Sequence, residues 1–103
     1  IVVGAPLPTL PDDFAPGDEV GAMRRQVPQT MRERTRLTLA FNDQVAAACA
    51  ARGIVHLDDR AESLGSDGCV KPAWQRRDRP DHHYDRASYA RWLARALKPH
   101  LST

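Results

Sequence analysis

Ile1-Val2-Val3-Gly4-Ala5 is a short β-branched run ended by Pro6, a pattern that predicts a buried strand. Leu37, Phe41, Val45 and Ala48 or Cys49 recur at three- and four-residue spacing, which predicts one apolar stripe on a helix from about Gln29 to Arg52. Pro28 suits the first turn of that helix, and Gly53 suits the position just past its end. Ile54-Val55-His56-Leu57-Asp58 is a second short strand, continuous and apolar as in a parallel sheet. Tyr89, Trp92, Leu93, Ala96 and Leu97 form the apolar face of a last helix, capped by Asp85 and stopped by Pro99.

Between these elements the pattern breaks down. Pro6, Pro8, Pro11 and Pro16, with Gly17 and Gly21, make a long loop that also carries Asp12, Asp13, Asp18 and Glu19. A loop of that length more often covers a site than merely connects elements. Residues 59 to 81 are irregular, with one helical turn expected near Arg60 to Leu64. The order strand, loop, helix, strand, loop, helix is that of the end of an α/β layer with parallel strands. Two short strands leave both edges bare, so the expectation is that the rest of the sheet lies elsewhere. The missing initiating Met points the same way, to a processed product or the ordered part of something longer. The remaining segment of the same domain, or a partner chain, is therefore an expected partner.

Composition narrows the class. The 103 residues have room for one domain or part of one, and 42% hydrophobic with 27% charged residues is ordinary for a globular chain. A net charge of +2, with arginines spread along helices, gives no nucleic-acid footprint. No stretch approaches the ~18 consecutive apolar residues of a membrane span. Neither nucleic acid nor membrane is expected as a partner.

The candidate chemistry lies in Arg77-Asp78-Arg79-Pro80-Asp81-His82-His83-Tyr84-Asp85. A carboxylate beside an imidazole can orient it and stabilise its protonated form, as a general base for a nucleophile requires. On composition alone, a His pair in a loop is more often exposed and idle. Tyr89 and Trp92 are core residues, and His56 is a satisfied half-buried polar group. Cys49 and Cys69 can be bonded or free. A zinc site from these cysteines with His82 and His83 lacks a closely spaced Cys pair, so no metal or cofactor is called for.

In order and spacing the chain resembles the C-terminal half of the SGNH (GDSL-type) hydrolase superfamily. A late strand running into a Pro-containing loop resembles Ile1 to Pro8, and a helix with Thr, Phe-Asn, Cys and Gly before a strand ending in Leu-Asp resembles Thr38 to Asp58. A closing block of Asp, His and a Tyr-bearing helix resembles Asp78 to Tyr89. The resemblance implies a three-layer flavodoxin-like parallel sheet within an α/β class, of which residues 1–103 supply the last strands and helices. It implies a serine esterase or acyltransferase acting on a small ester, with His83 as the base and the nucleophile on an absent N-terminal half. Pro80 stands where the family has its acid, so Asp81 and Asp78 are both candidates to orient the imidazole. The long loop from Pro6 to Ala22 would border the acyl cleft. The alternative is a non-catalytic α/β binding or structural module.

Overall fold

Thr30 begins the longest helix, α1 (Met31–Ala51), by accepting the Glu33 N–H at 3.1 Å, while its own hydroxyl donates to the Glu33 carboxylate. The structure is a computed structural model that describes residues 1–12, 28–76 and 83–101. Asp12 also accepts from the Met31 N–H, so the loop before α1 shares in capping it. Pro28 lies outside the helix, two residues ahead of the cap. At the far end Gly53 takes φ +66°, where a side chain would be strained, and turns the chain so that the Ile54 N–H donates to Cys49 O.

Two short strands follow the expected direction. β1 (Val2–Val3) pairs in parallel with β2 (His56–Leu57), Val2 opposite His56 and Val3 opposite Leu57. The three-layer flavodoxin-like parallel sheet is not formed. Among the described residues the sheet has two strands, and helix is the dominant structure. Both ends of the ladder are diverted. Ala5 turns its N–H and C=O to the Asn42 side chain at 2.8 and 2.9 Å, and Ile54 is turned back by Gly53. Ile1 and Val3, expected inside a buried strand, are exposed.

After β2 comes one helical turn, α2 (Arg60–Ser63), where it was expected. A tight turn through Gly68 is closed by the Leu64–Val70 bridge, and a 3₁₀ turn at Pro72–Trp74 precedes the gap in the description. Helix α3 (Arg86–Leu97) is capped by Asp85, which accepts the Ser88 N–H at 3.0 Å. Pro99 does not stop the chain dead: a 3₁₀ turn continues through Lys98–His100. No helix among the described residues is long and apolar enough to cross a membrane.

The core is aromatic and centres on Trp74. Its ring meets Tyr84 edge-on at 5.0 Å, and Tyr89 and Trp92 of α3 at 6.5 and 6.4 Å. Leu7, Met31, Leu57 and Val70 close the cluster from the loop, α1 and β2 sides. The α3 face is therefore buried as its spacing predicts. The α1 stripe is buried only toward its end: Cys49 is 6% exposed, but Leu37 and Phe41 are 63% and 56% exposed, whereas Thr35 and Asn42 are 0% and 2% exposed. With about 100° of rotation per residue, the buried face lies roughly 100° around the helix from the predicted apolar stripe.

Candidate functional site

The antiparallel bridge between Gln75 and Tyr84 is the local device that builds the site. It makes Arg76 and His83 neighbours across the pair, one residue beyond Gln75 and one before Tyr84. The Asp85 N–H, bonded to Trp74 O at 2.8 Å, holds the segment against the core as α3 begins. Tyr84 faces inward and is buried, while His83 is exposed.

His83 opens on a cleft of about 560 Å³. One wall is Gly4 and Pro6, where β1 ends, and the other is Asp85, Arg86 and Tyr89 at the start of α3. Arg76 and Tyr84 complete it. A cleft at the carboxyl end of a parallel strand is where open α/β arrangements bind ligands. Pro6 thus brings the start of the predicted loop to the cleft, and Leu7, Thr9 and Leu10 behind it are buried. Tyr89, read from the sequence as a core residue alone, is half-buried and also forms cleft wall.

Tyr84 belongs to a buried polar chain that the sequence reading missed. Its hydroxyl accepts the Leu7 N–H at 2.6 Å and donates to Asp59 Oδ1 at 3.2 Å, and Ser63 Oγ donates to the same oxygen at 2.7 Å. Burial pushes the Asp59 carboxyl up despite the hydrogen bonds from Ser63 and Tyr84. Burial, with the Asp59 charge beside it, also pushes the Tyr84 phenol well up, so it remains a proton donor. The one sequence signal was the four-residue spacing of Asp59 and Ser63, which places them on one side of a helical turn.

Its neighbour Asp58 behaves oppositely. Burial alone would raise it, but hydrogen bonds from Arg60, at 2.8 Å from the backbone N–H and at 3.0 and 2.8 Å from the guanidinium, hold it low. The same guanidinium reaches Asp43 on α1 at 2.8 Å, tying the helix to the end of β2. His56 departs from expectation, for its Nε2 is buried without a hydrogen-bond partner.

Of the predicted site residues, His83 is in the cleft, while Asp78 and Asp81 lie outside the described residues, as does the neighbouring His82. The cleft's described lining contains no Ser, Thr or Cys. Ser63 is spent on Asp59, and the Ser88 hydroxyl donates to Asp85 and to Ala73 O at 2.9 and 2.8 Å. Cys49 and Cys69 are free thiols, and burial with the Asp67 charge pushes the Cys69 thiol up, away from its reactive form. Among the described residues no three His, Cys, Asp or Glu side chains converge as a metal-binding group. Asn42 serves structure, as its bonds to Ala5 show.

No protein-family model, curated protein or solved structure matches the chain.

Proposed function

We propose that the chain is the base-bearing portion of an SGNH-type serine esterase or acyltransferase, with His83 as the general base. The observation that carries this reading is the exposed His83 on a cleft at the carboxyl end of β1. The imidazole takes the proton from a serine hydroxyl as the hydroxyl attacks the ester carbonyl, and returns it to the leaving alkoxide. The serine is carried on the remaining segment of the domain or on a partner chain. Exposed Ile1 and Val3 supply apolar surface for such a segment to cover. Asp81 or Asp78 orients the imidazole.

Hydrolysis of a short-chain aryl ester by the intact protein tests the reading. Without its base, His83→Ala is expected to lose about 10²–10⁴ in turnover. Asp78→Asn and Asp81→Asn, measured side by side, assign the orienting acid by the larger loss. Unchanged turnover in His83→Ala rejects the base assignment.

A non-catalytic binding module is the second reading. It is favoured by the lack of a Ser, Thr or Cys side chain in the described cleft lining. Absence of ester turnover by the intact wild-type protein, together with retained ligand binding, selects it.

A further inference from the structure

We propose that the outer face of α1 pairs with the same face of a second copy of this chain, the two helices running antiparallel. Leu37, Phe41, Gln44, Ala48 and Ala51 follow one another at spacings of four, three, four and three residues, and all five are exposed. At about 100° per residue they lie within about 40° of one line along the helix. That line runs roughly 140° around α1 from the face on which Met31, Thr35, Asn42 and Cys49 are buried. An ordinary surface helix turns its polar side chains to water. Here four of the five outward residues are apolar, and alternating steps of four and three are the seam along which paired helices meet.

Size and charge along the stripe select a second copy as the occupant. The bulky Leu37 and Phe41 stand in its first half, and the small Ala48 and Ala51 in its second. With the two helices antiparallel about a midpoint between Asn42 and Asp43, Leu37 of one copy lies opposite Ala48 of the other, and Phe41 opposite Gln44. The same register sets exposed Glu33 opposite exposed Arg52 at each end, a charge pair that two-fold symmetry makes twice. Within the chain Glu33 accepts the Thr30 hydroxyl at 3.1 Å and Arg52 donates to Ala48 O at 3.0 Å, so each keeps polar atoms to offer. Parallel helices would instead set Glu33 against Glu33, Arg52 against Arg52, and alanine against alanine across a void. A contact strip about 30 Å long and about 10 Å wide covers roughly 300 Å² per copy, against about 800 Å² in a stable interface. The pairing is therefore weak and reversible, and dilution leaves Leu37 and Phe41 in water.

Sedimentation of the intact protein over a range of concentrations tests this. The expected result is a monomer at about 10 µM that shifts toward a dimer as the concentration approaches about 1 mM. Phe41→Asp should weaken the association at least about tenfold, as loss of a central aromatic anchor does. Glu33→Arg and Arg52→Glu should each weaken it roughly threefold or more, and the two combined in one chain should restore it, an outcome that parallel helices cannot give. Should Phe41→Asp fail to fold, the charge series decides alone. A chain still monomeric at about 1 mM overturns the proposal, and leaves the face to a different protein or to the remaining segment of the domain. A dimer that Phe41→Asp forms as tightly as the wild type, or a double charge variant no tighter than the singles, overturns it as well.

Discussion

Helix α3 buries an apolar face, whereas α1 buries Met31 and Cys49 near its ends and polar side chains at its middle. α3 buries Trp92 and packs Tyr89, Leu93 and Leu97 against an aromatic cluster, so its gain comes from apolar area removed from water. α1 buries Thr35 and Asn42 at its middle and leaves Leu37 and Phe41 in solvent. What differs is what each helix faces. Opposite α3 lies Trp74, which asks only for shape and apolar surface. Opposite the middle of α1 lies the backbone of Gly4 and Ala5; the Gly4 N–H still donates to Leu57 O, but the Ala5 N–H and C=O have left the strand ladder and need partners. Asn42 offers a donor and an acceptor on one planar amide, and meets both. A Cβ on Gly4 would stand 3.3 Å from that amide, so the approach is close as well as polar. Thr35 is buried at little cost because its hydroxyl donates to Met31 O at 2.8 Å within its own helix.

The sharpest way to break this contrast is to truncate one aromatic on each helix. Trp92→Ala should cost roughly 3–5 kcal/mol, whereas Phe41→Ala should stay within about 0.5 kcal/mol, as for an exposed side chain. Urea unfolding of the two variants decides the matter, and similar losses would mean that α1 does not lie as described. A smaller effect is expected at Asn42. Asn42→Ala leaves the Ala5 N–H and C=O without their partner and should cost about 1–3 kcal/mol, and Asn42→Leu should not recover it despite its greater hydrophobicity. Recovery by Leu would show that volume, not hydrogen bonding, holds β1 to α1.

The smallest effect concerns the two adjacent aspartates, and it appears as a pH dependence. Asp59 is raised above the ordinary 3.8, so its proton is bound more tightly folded than unfolded. Its contribution is complete below that value and is lost as pH rises through the folded one. Asp58 is lowered, so its contribution is present above 3.8 and is lost as pH falls through its folded value. Asp59→Asn keeps an oxygen to accept from Ser63 and Tyr84 but cannot ionise. Its stability relative to the wild type should improve between pH 4 and pH 6.5, whereas Asp58→Asn, followed below pH 3.8, should worsen relative to the wild type as pH rises toward that value. Unfolding curves at both pH values read this directly, and a pH-independent difference for Asp59→Asn would contradict the raised carboxyl.

Much of the local structure is legible in the residues themselves. The α3 stripe and its Asp85 cap, the turn at Gly53 and the helical turn after Asp59 follow from spacing, from a side-chain acceptor and from a residue without a Cβ. The parallel direction of the strands was readable too, because a helix between them must carry the chain back. Those are short-range rules, acting over one or two turns.

The extent of the sheet, the face that α1 buries, and the cleft depend on what the folded chain brings opposite each element. Periodicity marked Leu37 and Phe41 as inward because it counts apolar residues and cannot see a neighbour. The Ala5 backbone lies 37 positions from Asn42, and its unmet polar groups outweighed that stripe. Likewise Tyr84 reaches the Leu7 N–H across 77 positions, and the Gln75–Tyr84 bridge sets Arg76 beside His83. His83 was a candidate from the sequence because of the chemical groups beside it in the chain and the family resemblance, and the structure sets it on the cleft. Arg76 and the Asp59–Ser63–Tyr84 set were not, since only folding makes them neighbours. Hydrogen bonds and charge pairs act over a few ångströms of space, whatever the distance along the chain.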